Sequence, residues 1–154
     1  MPEHLRFEDF TVGRKFTFGD HLVTEKAIID FALEYDPQPM HVDPVAAKND
    51  MMGGLIASGW HLCALAMRLI KDGLFDDQTS LGSPGVDEVQ WRRPVRANDR
   101  LSMEAEVLEA RSSKSKPGRG IVRFRFDLFR TDEAGKRQLA ITYTSPVMIR
   151  KREA

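Results

Sequence analysis

The chain has 154 residues, and its 23 lysines and arginines are balanced by 23 aspartates and glutamates, for a formal net charge of zero. That length suits one domain that buries a core without covalent staples. The lack of a basic excess gives none of the electrostatic footprint of a nucleic-acid-binding or membrane-surface protein. Apolar residues make up 42% and charged residues 30%, a soluble globular composition, and a neutral surface leaves self-association unopposed by net charge.

Met1–His4 lacks a basic region followed by an apolar run, so no signal peptide is expected there. Residues 5–23 read as extended, with Phe16 and Phe18 alternating against Lys15 and Thr17. Thr24 is placed to cap a helix over 25–35, in which Ala27, Ile28, Phe31, Ala32 and Tyr35 recur at helical spacing. Pro37 forces Asp36 out of the helical region and ends that helix. Asp43-Pro44 reads as the cap and first residue of a short helical turn through Asn49.

Gly53-Gly54 breaks the chain before a second helix from about Ser58 to about Lys71. That helix is apolar almost all round, so it is expected to be buried on most sides. The apolar stretch from Leu55 to Ile70 is broken by Ser58, His61 and Arg68, and is too short and polar to span a bilayer. Cys63 lies in it as the only cysteine. It reads as a small buried hydrophobe rather than a nucleophile, and the lack of any intrachain disulfide fits a reducing cytoplasm.

The second half is strand-like. Val86–Val95 is a weakly alternating strand with Pro94 near its end. Leu101–Val107, Val122–Leu128 and Leu139–Tyr143 each alternate apolar with polar residues, the mark of an antiparallel sheet with one face on the core. Residues 112–120 read as an exposed connection, and residues 131–136 as a hairpin loop. One long helix and about five strands predict an α+β domain, a bent antiparallel sheet wrapped round a single buried helix.

The informative block is Asp36-Pro37-Gln38-Pro39-Met40-His41-Val42-Asp43, followed by Ile56-Ala57-Ser58-Gly59-Trp60. It resembles the hydratase motif of the MaoC-like dehydratases and R-specific enoyl-CoA hydratases, in which an Asp and a His five residues apart follow the first helix. Two positions depart from the common pattern: Gln38 stands before Pro39, and Ser58 stands where many members carry His. Phe7–Gly13 is similar to the family's first strand.

The resemblance implies a hotdog fold over the whole chain and a hydro-lyase acting on a 2-enoyl or 3-hydroxyacyl thioester of coenzyme A or acyl carrier protein. It implies no metal or redox cofactor, and a homodimer or dimer of dimers joined edge to edge. A carboxylate and an imidazole sharing one water can move both protons of a hydration. Asp36 would orient the water and take its proton, and His41 would hold the same water and shuttle a proton. Gly59, at a helix start, would offer its N–H to the thioester oxygen.

Gln38, Pro39, Met40, Ser58 and Trp60 are the expected substrate contacts. Met40, Met51, Met52, Trp60 and Phe75 are candidates for an acyl tunnel. Arg92, Arg93 and Arg96 are candidates for coenzyme A phosphates. Three other readings stay open: a thioesterase on the same fold, a non-catalytic acyl-CoA binder, and a metal cluster of Asp36, His41, Asp43 and His61. Taken singly, Asp43 fits an N-cap, Ser58 a helix cap, and His61 a structural side chain.

Overall fold

The computed structural model describes residues 4–152, so Met1–Glu3, read above for a leader, lies outside the described residues. A 3-10 turn (Phe7–Asp9) leads to β1 (Lys15–Leu22), α1 (Glu25–Tyr35), α2 (Pro39–Val42), α3 (Pro44–Lys48) and α4 (Gly59–Gly73). Then come β2 (Glu88–Trp91), β3 (Arg100–Ser112), β4 (Arg119–Thr131) and β5 (Arg137–Arg150). The five strands form one antiparallel sheet in the order β1-β3-β4-β5-β2.

The period-two pattern places the core as expected. Leu101, Met103, Ala105 and Val107 on β3 and Val122, Phe124, Phe126 and Leu128 on β4 are buried together with Leu62, Ala66, Leu69 and Ile70 of α4. Burying each large side chain contributes about 1.5–3 kcal/mol. The C-terminal end of α4 lies so close to β1 that a Cβ at Gly73 would stand 2.8 Å from Phe18. A sheet wrapped round one long helix is therefore the architecture, as the pattern predicted.

Several elements differ from the sequence reading. Phe7–Asp9 is a turn rather than a strand: the Asp9 carboxylate accepts the Arg6 N–H at 2.8 Å, and that local bond outcompetes extension. The strand expected over Val86–Val95 shrinks to Glu88–Trp91. Beyond it the Arg92 and Arg93 N–H groups both turn to the Ala140 carbonyl, and Pro94 brings no donor.

On β5 the register shifts opposite Leu128 and Phe129, so Ala140 bulges into the core and Leu139 is only half-buried. Helix α4 is not enclosed on most sides, since Trp60 is 63% and Met67 56% exposed. A second apolar row flanks this open face, because Trp91 and Val86 are also exposed. No helix among the described residues is long and apolar enough to cross a membrane.

Candidate active site

The site begins where α1 ends. Thr24 caps that helix by accepting the Ala27 N–H at 3.1 Å. At its other end Asp36 takes φ −153 and ψ 67, outside the helical region as Pro37 requires, while its N–H still reaches the Ala32 carbonyl. Pro39 then opens the short α2, which turns His41 inward until it is buried. Asp43 closes the segment by capping α3, accepting from the Val45 and Ala46 N–H groups at 3.0 and 3.1 Å.

Two polar residues hold the Asp36 carboxylate. Gln38 Nε2 donates to Oδ1 at 2.7 Å, and Ser58 Oγ donates to Oδ2 at 2.7 Å. These bonds, Gln38 first and Ser58 next, hold Asp36 below its ordinary carboxylate pKa against the opposing effect of burial, with the charge of His41 a smaller aid. Asp36 is therefore ionised at neutral pH.

His41 Nδ1 lies 2.8 Å from the Ile56 carbonyl, which only accepts, so Nδ1 carries a hydrogen. In the neutral ring, Nε2 is then an acceptor, and it faces Asp36 Oδ2 across 3.4 Å. The Ile56 N–H in turn bonds the Met40 carbonyl at 3.0 Å, closing a brace between α2 and the approach to α4.

Ser58 occupies the cap position of α4 yet makes no side-chain cap bond, because its buried hydroxyl is given to Asp36. The first N–H groups of α4 thus keep no side-chain partner from the cap. Gly59 is the first residue of that helix, and a Cβ there would stand 2.5 Å from Trp91 Nε1. The close approach that requires glycine is thus to the Trp91 indole.

Asp36, Gln38, His41, Gly59 and Trp60 all line one cavity of about 400 Å³, together with Trp91. Trp60 and Trp91 meet edge to face at 5.3 Å. Pro39 and Met40 are not among its lining residues: Pro39 is exposed at the start of α2, and Met40 contributes its carbonyl to the brace. Of the tunnel candidates Met52 lines the cavity, Met51 is 97% exposed, and Phe75 packs elsewhere against Phe10 and Phe124.

Arg92 and Arg93 stand at the cavity wall, and neither is paired with a carboxylate among the described residues. Arg96 is turned away and donates to the Met52 carbonyl. His61 is stacked on Phe31 with centroids 4.5 Å apart and is not part of the cavity wall. Among the described residues no three His, Cys, Asp or Glu side chains converge as a metal site, and Asp43 is engaged by α3. Trp91 was missed from sequence; its place beside the Arg92-Arg93-Pro94 strand end was the available signal.

The MaoC like domain matches residues 8–125. A MaoC-like dehydratase from Rhodospirillum rubrum is 39% identical, with 97% of this chain and 99% of that one covered and a TM-score of 0.86. The R-hydratase PhaJ1 from Pseudomonas aeruginosa is 25% identical over 98% of this chain and 89% of that one, with a TM-score of 0.75. The uncharacterized protein YdeM of Bacillus subtilis is 31% identical over 115 residues, 74% of this chain and 81% of its own length. The chain belongs to the MaoC-like domain family, and its fold is the hotdog fold of these neighbours.

Proposed function

We propose that the protein hydrates a 2-enoyl thioester, or dehydrates the matching 3-hydroxyacyl thioester, at the Asp36–His41 pair. The observation that carries this reading is the 3.4 Å separation of Asp36 Oδ2 and His41 Nε2, which with the imidazole neutral are two acceptors facing one another. A water donating one hydrogen to each is held with its lone pairs free for the β-carbon. As the C–O bond forms, one proton leaves the water for this pair and one is delivered to the α-carbon. Charge growing on the thioester oxygen meets the Gly59 N–H at the start of α4. Dehydration runs the same steps in reverse.

The R-hydratase among the similar structures supports the reaction class. Arg92 and Arg93, which have no carboxylate partner among the described residues, support a coenzyme A thioester, whose phosphates suit guanidinium groups. No metal or redox cofactor has a step here. A thioesterase would use the same cavity, but the braced acceptor pair favours addition of water to a double bond. The lone Cys63 favours a reducing, cytoplasmic setting.

A homodimer is part of this reading. Among the described residues strand β2 pairs only with β5, which leaves its outer edge open beside the exposed Trp60, Met67 and Trp91. Light scattering should give twice the chain mass, and a monomer mass would overturn the dimer.

The reaction is tested by following the enoyl-thioester absorbance with a series of enoyl-CoA esters while monitoring free thiol. Loss of the enoyl band without thiol release is expected. Asp36→Asn and His41→Ala should each slow it by about a hundredfold or more. Thiol release as the main event, or full activity in both variants, would overturn the reading.

A further inference from the structure

Asp99, the residue before β3, is only 2% exposed, and the proposed reaction gives it no part. Arg130 of β4 meets its carboxylate with two prongs of the guanidinium: Nε donates to Oδ2 at 2.7 Å and Nη2 to Oδ1 at 3.0 Å. The Arg96 N–H donates to the same Oδ2 at 2.8 Å. A buried charge is tolerated when it is paired and hydrogen-bonded, and the flat guanidinium fork fixes the carboxylate in one orientation. Asn98 beside it takes φ 72, in the left-handed region, and its N–H bonds the Val23 carbonyl at 2.8 Å. The Val23 N–H returns a bond to the Asp99 carbonyl at 2.9 Å. Residues 95–99 are thus one turn held by β4 and by the entry to α1.

The other side of this turn holds residues 52–57. The Val95 carbonyl accepts the Ala57 N–H at 2.9 Å, and Arg96 donates to the Met52 carbonyl. The Ala57 N–H and the Ile56 carbonyl are two ends of one planar peptide. Val95 fixes the first end, and the second accepts the His41 Nδ1 hydrogen at 2.8 Å. If that peptide turned aside, the neutral ring would be free to carry its hydrogen on Nε2. Nε2 would then face Asp36 as a donor and no longer as an acceptor.

We infer that Asp99 and Arg130 are positioning residues: their buried ion pair, acting through Val95 and the Ile56–Ala57 peptide, keeps the hydrogen of His41 on Nδ1. The effect on turnover rests on the proposed hydration at Asp36 and His41, whereas the hydrogen's place on the ring is read without substrate.

Protein labelled with nitrogen-15 in its histidines tests the inference by NMR at pH 8, above the ordinary imidazole range. The His41 signals are assigned by their loss in His41→Ala. The wild type should show a hydrogen on Nδ1 and a bare Nε2. In Asp99→Asn the two nitrogen shifts should move toward each other, and kcat for an enoyl-CoA should fall about tenfold with KM nearly unchanged. Arg130→Lys keeps the charge and loses the fork, so it should show the same change to a smaller extent; if Asp99→Asn does not fold, this variant decides. Val122→Ala, a core truncation near the other end of β4, should lower the melting temperature without moving the His41 shifts. Unmoved shifts in the folded Asp99 or Arg130 variant, an equal movement in Val122→Ala, or a wild-type ring with its hydrogen on Nε2 would each overturn the inference. Moved shifts in a protein that hydrates no enoyl-CoA would uphold it and sink the hydratase reading. Unmoved shifts in an active hydratase would do the reverse.

Discussion

Ser58 Oγ donates to Asp36 Oδ2 at 2.7 Å, so the residue at the cap position of α4 stabilises the carboxylate at the end of α1. This one bond ties the end of α1 to the start of α4, and it helps to lower the pKa of Asp36. In Ser58→Ala the carboxylate loses a donor, and its pKa rises toward the ordinary value. The ionised form, needed to accept a proton, is then lost at higher pH as the solution is acidified. The acid limb of the kcat/KM profile should move upward in pH, with kcat about tenfold lower at neutral pH. An unshifted limb would separate Ser58 from the chemistry.

Gly59→Ala places a Cβ 2.5 Å from Trp91 Nε1 and 2.7 Å from its Cε2. Overpacking of this kind costs about 1–3 kcal/mol. A lower melting temperature and weaker activity are expected, and Trp91→Leu in the same chain should restore the melting temperature. Restored stability without restored activity would show that the indole itself shapes the cavity.

Arg92 and Arg93 make no ion pair among the described residues. If they receive coenzyme A phosphates, Arg92→Ala with Arg93→Ala should raise KM for an enoyl-CoA about tenfold and leave kcat nearly unchanged. Added salt should raise the wild-type KM and shrink the difference, since exposed charges are screened. Steady-state kinetics at low and high ionic strength checks both.

His61 is buried, its Nδ1 has no partner among the described residues, and desolvation, with the nearby His21 a lesser cause, lowers its pKa from the ordinary value near 6.5. The folded state therefore binds this proton less readily than the unfolded chain. Stability is full above about pH 6.5 and declines as pH falls through that value toward the folded pKa. The urea midpoint should drop between pH 7.5 and pH 5.5, and His61→Leu should remove part of that drop. An equal drop in the variant would assign it to other groups.

The sequence made some of this architecture legible because its signals are local. Pro37 acts on its neighbour Asp36, Asp43 caps the helix that starts beside it, and period two sorts β3 and β4 by face. The rest depends on partners distant in the chain. Nothing near Ser58 reveals that its hydroxyl leaves the helix it precedes for Asp36. Nor does anything near Gly59 reveal that the indole of Trp91 packs where its side chain would be. Met40 looked like a tunnel residue by position, but its carbonyl is engaged by Ile56. The bulge at Ala140 is set by pairing with β4, which the alternation of β5 alone does not show.

The brace that joins Asp36, His41, Ile56 and Ser58 has a consequence for how such a protein diversifies. The residues proposed to handle protons lie on one short stretch of chain and are tied together by their own bonds. The groups lining the same cavity, Trp91, Arg92 and Arg93, lie at and just beyond the end of β2, a boundary strand paired with β5 alone among the described residues. Substitutions on that strand can therefore redraw what is admitted to the cavity while the proton-handling stretch is inherited intact. On the proposed reading, chemistry and selection are separable modules in this chain, and a new preference can arise without reinventing the reaction.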